Sequence, residues 1–76
     1  MIEKITDLSI RIDDDRLVYG FSNRQLNAMR NFGINTFGDL IKLSRSDLEW
    51  ISGIGKKGAR EIVESCITMG VCIKWG

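Results

Sequence analysis

The stretch SGIGKKGAREI, residues Ser52 to Ile62, sets three glycines and two lysines between Ser52 and Gly58 and then runs straight into an apolar helical pattern. Ala59, Ile62, Val63, Cys66 and Ile67 fall at i, i+3, i+4, i+7 and i+8, the stripe of a helix with one buried face, and Gly70 is placed to end that helix in the left-handed conformation. Gly53 and Gly55 flank Ile54, whose side chain is expected to plug the core between two helices while the glycines take backbone angles closed to other residues. The turn accounts for the glycines but not for the lysines. With a helix starting near Lys56, the amides of Gly55, Lys56 and Lys57 stand at its positive end, a seat for a phosphate. Helix electrostatics favours acids there; two lysines cost about a few tenths of a kcal/mol each, which suggests that the anion comes from outside.

The remaining helices announce themselves through their starts. Ser22 and Gln25 form an S-x-x-Q capping box with Phe21 ahead of it; NRQLNAMRNF then carries Leu26 and Met29 on one face until Gly33 stops it. A second helix is expected near Thr36, with Phe37, Leu40 and Ile41 inward. A third begins at Ser44 or Ser46, each with an acid three residues on, and places Leu48 and Ile51 inside. MRNFGINTFGDL and LEWISGIGKKGAREI both read as helix, Gly-Ile turn, helix, so the two hairpins are expected to bury their stripes against each other. The fold expected is all-α, a compact bundle of four to five short helices, with a short extended pairing of the termini (LSIRI with VCIKW) left open. Residues 1–19 read as an acidic leader packed on a domain formed by residues 20–76. Within the leader, Ile2, Ile5 and Leu8 have helical spacing, whereas Leu8, Ile10 and Ile12 alternate as in a strand. Phe32, Phe37 and Trp50 are expected to be packing residues, and Trp75, near the end, a contact candidate.

Charge is uneven. Residues 1–15 hold five acids against two bases, a net of −3, while residues 16–76 hold nine bases against five acids, a net of +4. That suits a polyanion partner without demanding one. There is no histidine, and the two cysteines, Cys66 and Cys72, make neither a metal site nor a disulfide framework; Cys66, on an apolar helix face, reads as a buried thiol. No run is long enough for a membrane span and the start has no signal-peptide shape, so the expected location is the cytoplasm. A protein of 76 residues buries about 60% of its unfolded surface, which argues against a large internal active site. No convergent carboxylate, metal-ligand or nucleophile cluster is visible, so the sequence reads as neither an enzyme nor a cofactor binder, with no small-molecule substrate.

SGIGKKGAREI resembles the hairpin of helix-hairpin-helix DNA-binding modules. The run from about Phe21 to Val71, marked by NRQLNAMRNFGINTFGDL followed at the right distance by GIGKKGAREI, resembles the C-terminal domain of the bacterial RNA polymerase alpha subunit. The resemblance implies docking on the minor groove of A/T-rich DNA. Matched by motif, Arg24 would enter the groove beside Asn27, Gly55 and Lys57 would supply the hairpin contacts and Glu61 that of the last helix; Gly53, Lys56 and Gly58 of the same hairpin complete the candidate DNA-binding residues. At Gly58 the family commonly has serine, so a hydroxyl contact to phosphate is missing here. DDDRLVYG does not reproduce the family's acidic residues that face sigma factor. Starting at Met and lacking an assembly domain, the protein is expected not to be an alpha subunit by itself. The expected function is a DNA-binding module of transcription with double-stranded A/T-rich DNA as partner. The alternative is a protein-interaction module that contacts RNA polymerase or transcription factors without binding DNA.

Overall fold

The computed structural model describes residues 1–71 and 73. Four helices follow one another: α1 Asn23–Phe32, α2 Phe37–Leu40, α3 Arg45–Glu49 and α4 Gly55–Thr68. Among the described residues there is no strand, only two isolated bridges, Ile2 with Leu17 in parallel and Arg11 with Thr36 antiparallel. No helix of the described residues is long and apolar enough to cross a membrane. The fold is thus all-α, as its periodicity implies.

The first three helices start on complete capping boxes. Ser22 accepts from the Gln25 amide and Gln25 reaches back to Ser22, and Thr36 with Asp39 and Ser44 with Asp47 repeat the arrangement. Each box satisfies two of the amides that a helix start leaves without partners. Gly33, at φ 105°, ends α1, and Gly70, at φ 80°, follows α4.

The core lies where the two helical hairpins meet. Phe37, Met29, Leu40, Leu48, Ile62, Cys66 and Met69 are fully buried, and Ile34, Ile51, Ala59 and Val63 close around them. Phe21 stacks at a tilt on Phe37, with ring centroids 6.0 Å apart. Burial pushes the Cys66 thiol up to about 12, because a thiolate would lose its hydration there.

Neither helix nor strand describes the leader. It wraps the helices through scattered backbone bonds, with Ile12 N donating to Asn35 O (3.0 Å), Phe37 N to Ile10 O (3.0 Å), Gly38 N to Leu8 O (2.8 Å) and Ile5 N to Met69 O (2.8 Å). Ile12 itself is part of the core. Leu8, Ile10 and Ile12 of LSIRI thus spend these backbone groups on Asn35 and on the first residues of α2. Of VCIKW, Val71 and Ile73 are buried, while Cys72 and Trp75 lie outside the described residues.

Three packing expectations are overturned. Ile67 is 58% exposed: at 100° per residue it stands roughly 80° around the helix from Ala59, at the edge of the stripe. Phe32 is 56% exposed, because the backbone reverses at Gly33 and Ile34 takes the core position beyond the helix end. Trp50 is 87% exposed, since Leu48 and Ile51 on either side of it fill the inward positions.

Candidate nucleic-acid interface

The hairpin ahead of α4 is a four-residue turn held by Ile54 N donating to Ile51 O (3.1 Å). Gly53 and Gly55 take φ of 92° and 66°, angles at which a side chain is strained, and they let Ile54 between them turn into the core. Ile54 therefore occupies the cap position of α4, and its apolar side chain offers no hydrogen bond to the first-turn amides. The helical ladder begins with Gly58 N donating to Ile54 O (3.2 Å). No acid stands in the first turn of α4, and Gly55, Lys56 and Lys57 are all exposed. A Cβ at Gly58 would stand 3.0 Å from Ile54 Cγ2, so a side chain there asks Ile54 to give by a few tenths of an ångström.

Across from the hairpin lies the start of α1. The two ends enclose an open groove of about 510 Å³ lined by Ser22, Arg24 and Gln25 on one side and by Gly53, Ile54, Gly55, Lys57, Gly58 and Glu61 on the other. Of the residues singled out in the sequence, Arg24, Gly53, Gly55, Lys57, Gly58 and Glu61 thus share one groove. Asn27 and Lys56 do not line it, and both are exposed. Ser22, Gln25 and Ile54 also line the groove and were not among the site residues expected. Gln25 had a readable signal: it precedes Ala28 and Met29 by three and four residues, on the buried stripe, where a polar side chain must find a partner. That partner is Glu61, whose Oε2 accepts from Gln25 Nε2 at 3.0 Å.

Among the described residues, every arginine other than Arg24 has a carboxylate within 4.0 Å. Arg11 and Arg30 lie 3.0 and 3.9 Å from Asp13, Arg16 lies 2.7 Å from Asp14, Arg45 lies 3.8 Å from Glu49 and Arg60 lies 3.3 Å from Glu64. Lys4 donates to the Thr68 carbonyl at 2.7 Å. Arg24, Lys56 and Lys57 form no ion pair among the described residues. On the leader, the Arg16 side chain and backbone amide hold the Asp14 carboxyl down to about 2. The Ser9 backbone and hydroxyl lower Asp7, and the Arg11 side chain lowers Asp13. Those carboxylates are occupied by the protein's own donors. Among the described residues, no group of three or more His, Cys, Asp or Glu is arranged to hold a metal ion.

The family model for the C-terminal domain of the bacterial RNA polymerase alpha chain matches residues 2–66. The match takes in the leader, upstream of the run beginning at Phe21 that carries the sequence resemblance, in keeping with a leader whose Ile12 is core. The protein is 42% identical over 62 residues to the DNA-directed RNA polymerase subunit alpha of Ureaplasma parvum, covering 82% of its own length and 18% of that relative. It is 35% identical over 74 residues to the Carsonella ruddii subunit (92% and 23%) and 44% over 50 residues to that of Porphyromonas gingivalis (66% and 15%). It spans about a fifth of the length of these curated relatives. With nearly its whole described length inside the match, the protein belongs to the family of C-terminal domains of the bacterial RNA polymerase alpha subunit.

Proposed function

We propose that this protein is a DNA-binding module of transcription, in which the α4 hairpin seats a backbone phosphate while Arg24 enters the minor groove of an A/T-rich duplex. The observation that carries this reading is the convergence of Arg24 with Gly55, Lys57 and Gly58 on one groove, with those cations left without carboxylate partners among the described residues. The uncapped amides at the start of α4 supply donors and the positive end of the helix dipole, and glycine at position 55 leaves them open to close approach. Lys57 adds charge beside the seat, and Lys56 does so from outside the groove. A narrow A-tract minor groove concentrates negative potential and draws in a guanidinium, and Asn27, three residues beyond Arg24 on α1, can bond to its acceptors. Gly58 contributes its backbone amide in place of a serine hydroxyl. RNA polymerase and transcription factors are the proposed protein partners, on family membership, and the cytoplasm is the proposed location.

A fluorescence titration with an A/T-rich duplex at several salt concentrations tests the reading. Four or so neutralised phosphates give a log-log salt slope of about −4. Combining Arg24→Ala with Lys57→Ala should abolish most of the binding. Binding unchanged in that variant, with a native thermal melt, removes the support. Recovery of polymerase or an activator by the protein, with no duplex binding at low salt, would instead establish the protein-interaction alternative.

A further inference from the structure

Gln25 is the one polar side chain that is buried among the described residues, 8% exposed, and both ends of its amide are committed. Its Oε1 accepts from Ser22 N at 3.2 Å, closing the α1 capping box, and its Nε2 donates to Glu61 Oε2 at 3.0 Å. Rotating the amide by half a turn would set its NH2 against the Ser22 N–H and its oxygen against a carboxylate, so the neighbours dictate its orientation. Glutamate would serve the capping box equally well. Only an amide can accept at one end and donate at the other, so capping alone does not explain this residue.

The bond joins the two walls of the groove. Gln25 follows Arg24 directly, and Glu61 stands one turn beyond Lys57 and Gly58 on α4. Among the described residues, Gln25 is the one side chain hydrogen-bonded to Glu61. A carboxylate in a groove that takes phosphates repels them, so direct contact with an anion is a poor use of Glu61. We infer that Gln25 and Glu61 form a positioning pair that fixes the Arg24 guanidinium at a set distance from the hairpin phosphate seat, and that Glu61 acts on DNA through Gln25. The inference rests on the duplex-binding reading above. It makes Gln25 a positioning residue for DNA recognition, and it turns the acidic residue of the last helix from a contact into a brace.

Charge and bracing predict opposite signs at position 61. Glu61→Ala and Glu61→Gln remove the same negative charge, but only glutamine can still accept from Gln25. Glu61→Ala should bind an A/T-rich duplex about fivefold more weakly than Glu61→Gln, and more weakly than the native protein, although it has lost a repulsive charge. Gln25→Met removes the brace, leaves the groove's charge unaltered and keeps the Ser22 hydroxyl bond to the backbone of residue 25. It should weaken binding to a similar degree, and the double variant Gln25→Met with Glu61→Ala should be no weaker than either single change. Thermal melts confirm that each variant is folded. Should the methionine variant not fold, the Ala and Gln pair at position 61 still decides. Equal binding by that pair, Glu61→Ala binding more tightly than the native protein, or additive losses in the double variant would overturn the inference. A native protein that binds no duplex would remove the duplex-binding reading together with it, whereas a native protein that binds with indifferent variants removes the brace alone.

Discussion

Helices α1, α2 and α3 each open on a Ser or Thr whose side chain bonds to the third residue of the helix and receives that residue's side chain in return, whereas α4, the longest, opens on Ile54 with no capping bond from that side and no acid in its first turn. The protein therefore satisfies three helix starts with its own oxygens and leaves the fourth to its surroundings. The cations divide the same way. Arginines on the leader side and on the outer faces of α3 and α4 are paired with carboxylates, and Arg24, Lys56 and Lys57 around the uncapped start are not, among the described residues. A closed helix start serves stability and an open one serves an external anion; the same backbone amides do both, and the residue at the cap position decides which.

The sharpest way to break this contrast is to strip the open end of charge. Arg24→Ala with Lys57→Ala should lower duplex affinity by about a hundredfold, if each contact is worth roughly 1.4 kcal/mol, while the thermal melt stays in place. A comparable loss of melting temperature would mean that these side chains support the fold instead. The reciprocal change is at a closed end. Thr36→Ala removes the hydroxyl that caps α2 and should cost about 1 kcal/mol in urea unfolding, with duplex affinity within about twofold of native. Smaller still is Lys56→Glu, which gives the open end the acid it lacks. It should raise stability by about a few tenths of a kcal/mol and weaken duplex binding, opposite signs that a capping role alone does not produce.

A last prediction concerns pH. The backbone amides of Asn35 and Thr36 hold the Asp39 carboxyl below its usual value of 3.8. Because the folded form is the lowered one, its contribution is present above about pH 4 and fades as pH falls through the lowered value. Melts of the native protein and of Asp39→Ala from pH 7 to 2 should therefore differ most at neutral pH and converge in acid. A gap that persists undiminished in acid would place the role of Asp39 elsewhere.

What was readable in the sequence was what residues within four positions of each other decide. The S-x-x-Q box at Ser22, the Thr36 and Ser44 starts, the glycines flanking Ile54 and the Ala59 to Cys66 stripe are all of that kind. The leader was not readable, because Ile12 N and Ile10 O find partners at Asn35 and Phe37, more than twenty residues away, and no local pattern encodes that choice. The exposure of Trp50 and Phe32 escaped for a related reason: apolar character says that a residue prefers burial, and neighbours already filling the core settle whether there is room.

By itself, then, the sequence determined the four helices, the plugged hairpin and the bare cationic start of α4, since caps, turns and periodicity act over a few residues. The tertiary structure decided which cations remain unpaired and which walls face each other. Arg24 and Arg30 stand on one helix, yet only Arg30 has a leader carboxylate within 4 Å, that of Asp13 at 3.9 Å. Gln25 reaches Glu61 across a separation of 36 residues. Electrostatic and hydrogen-bond partners are selected by distance in space, which the order of residues along a polypeptide does not state.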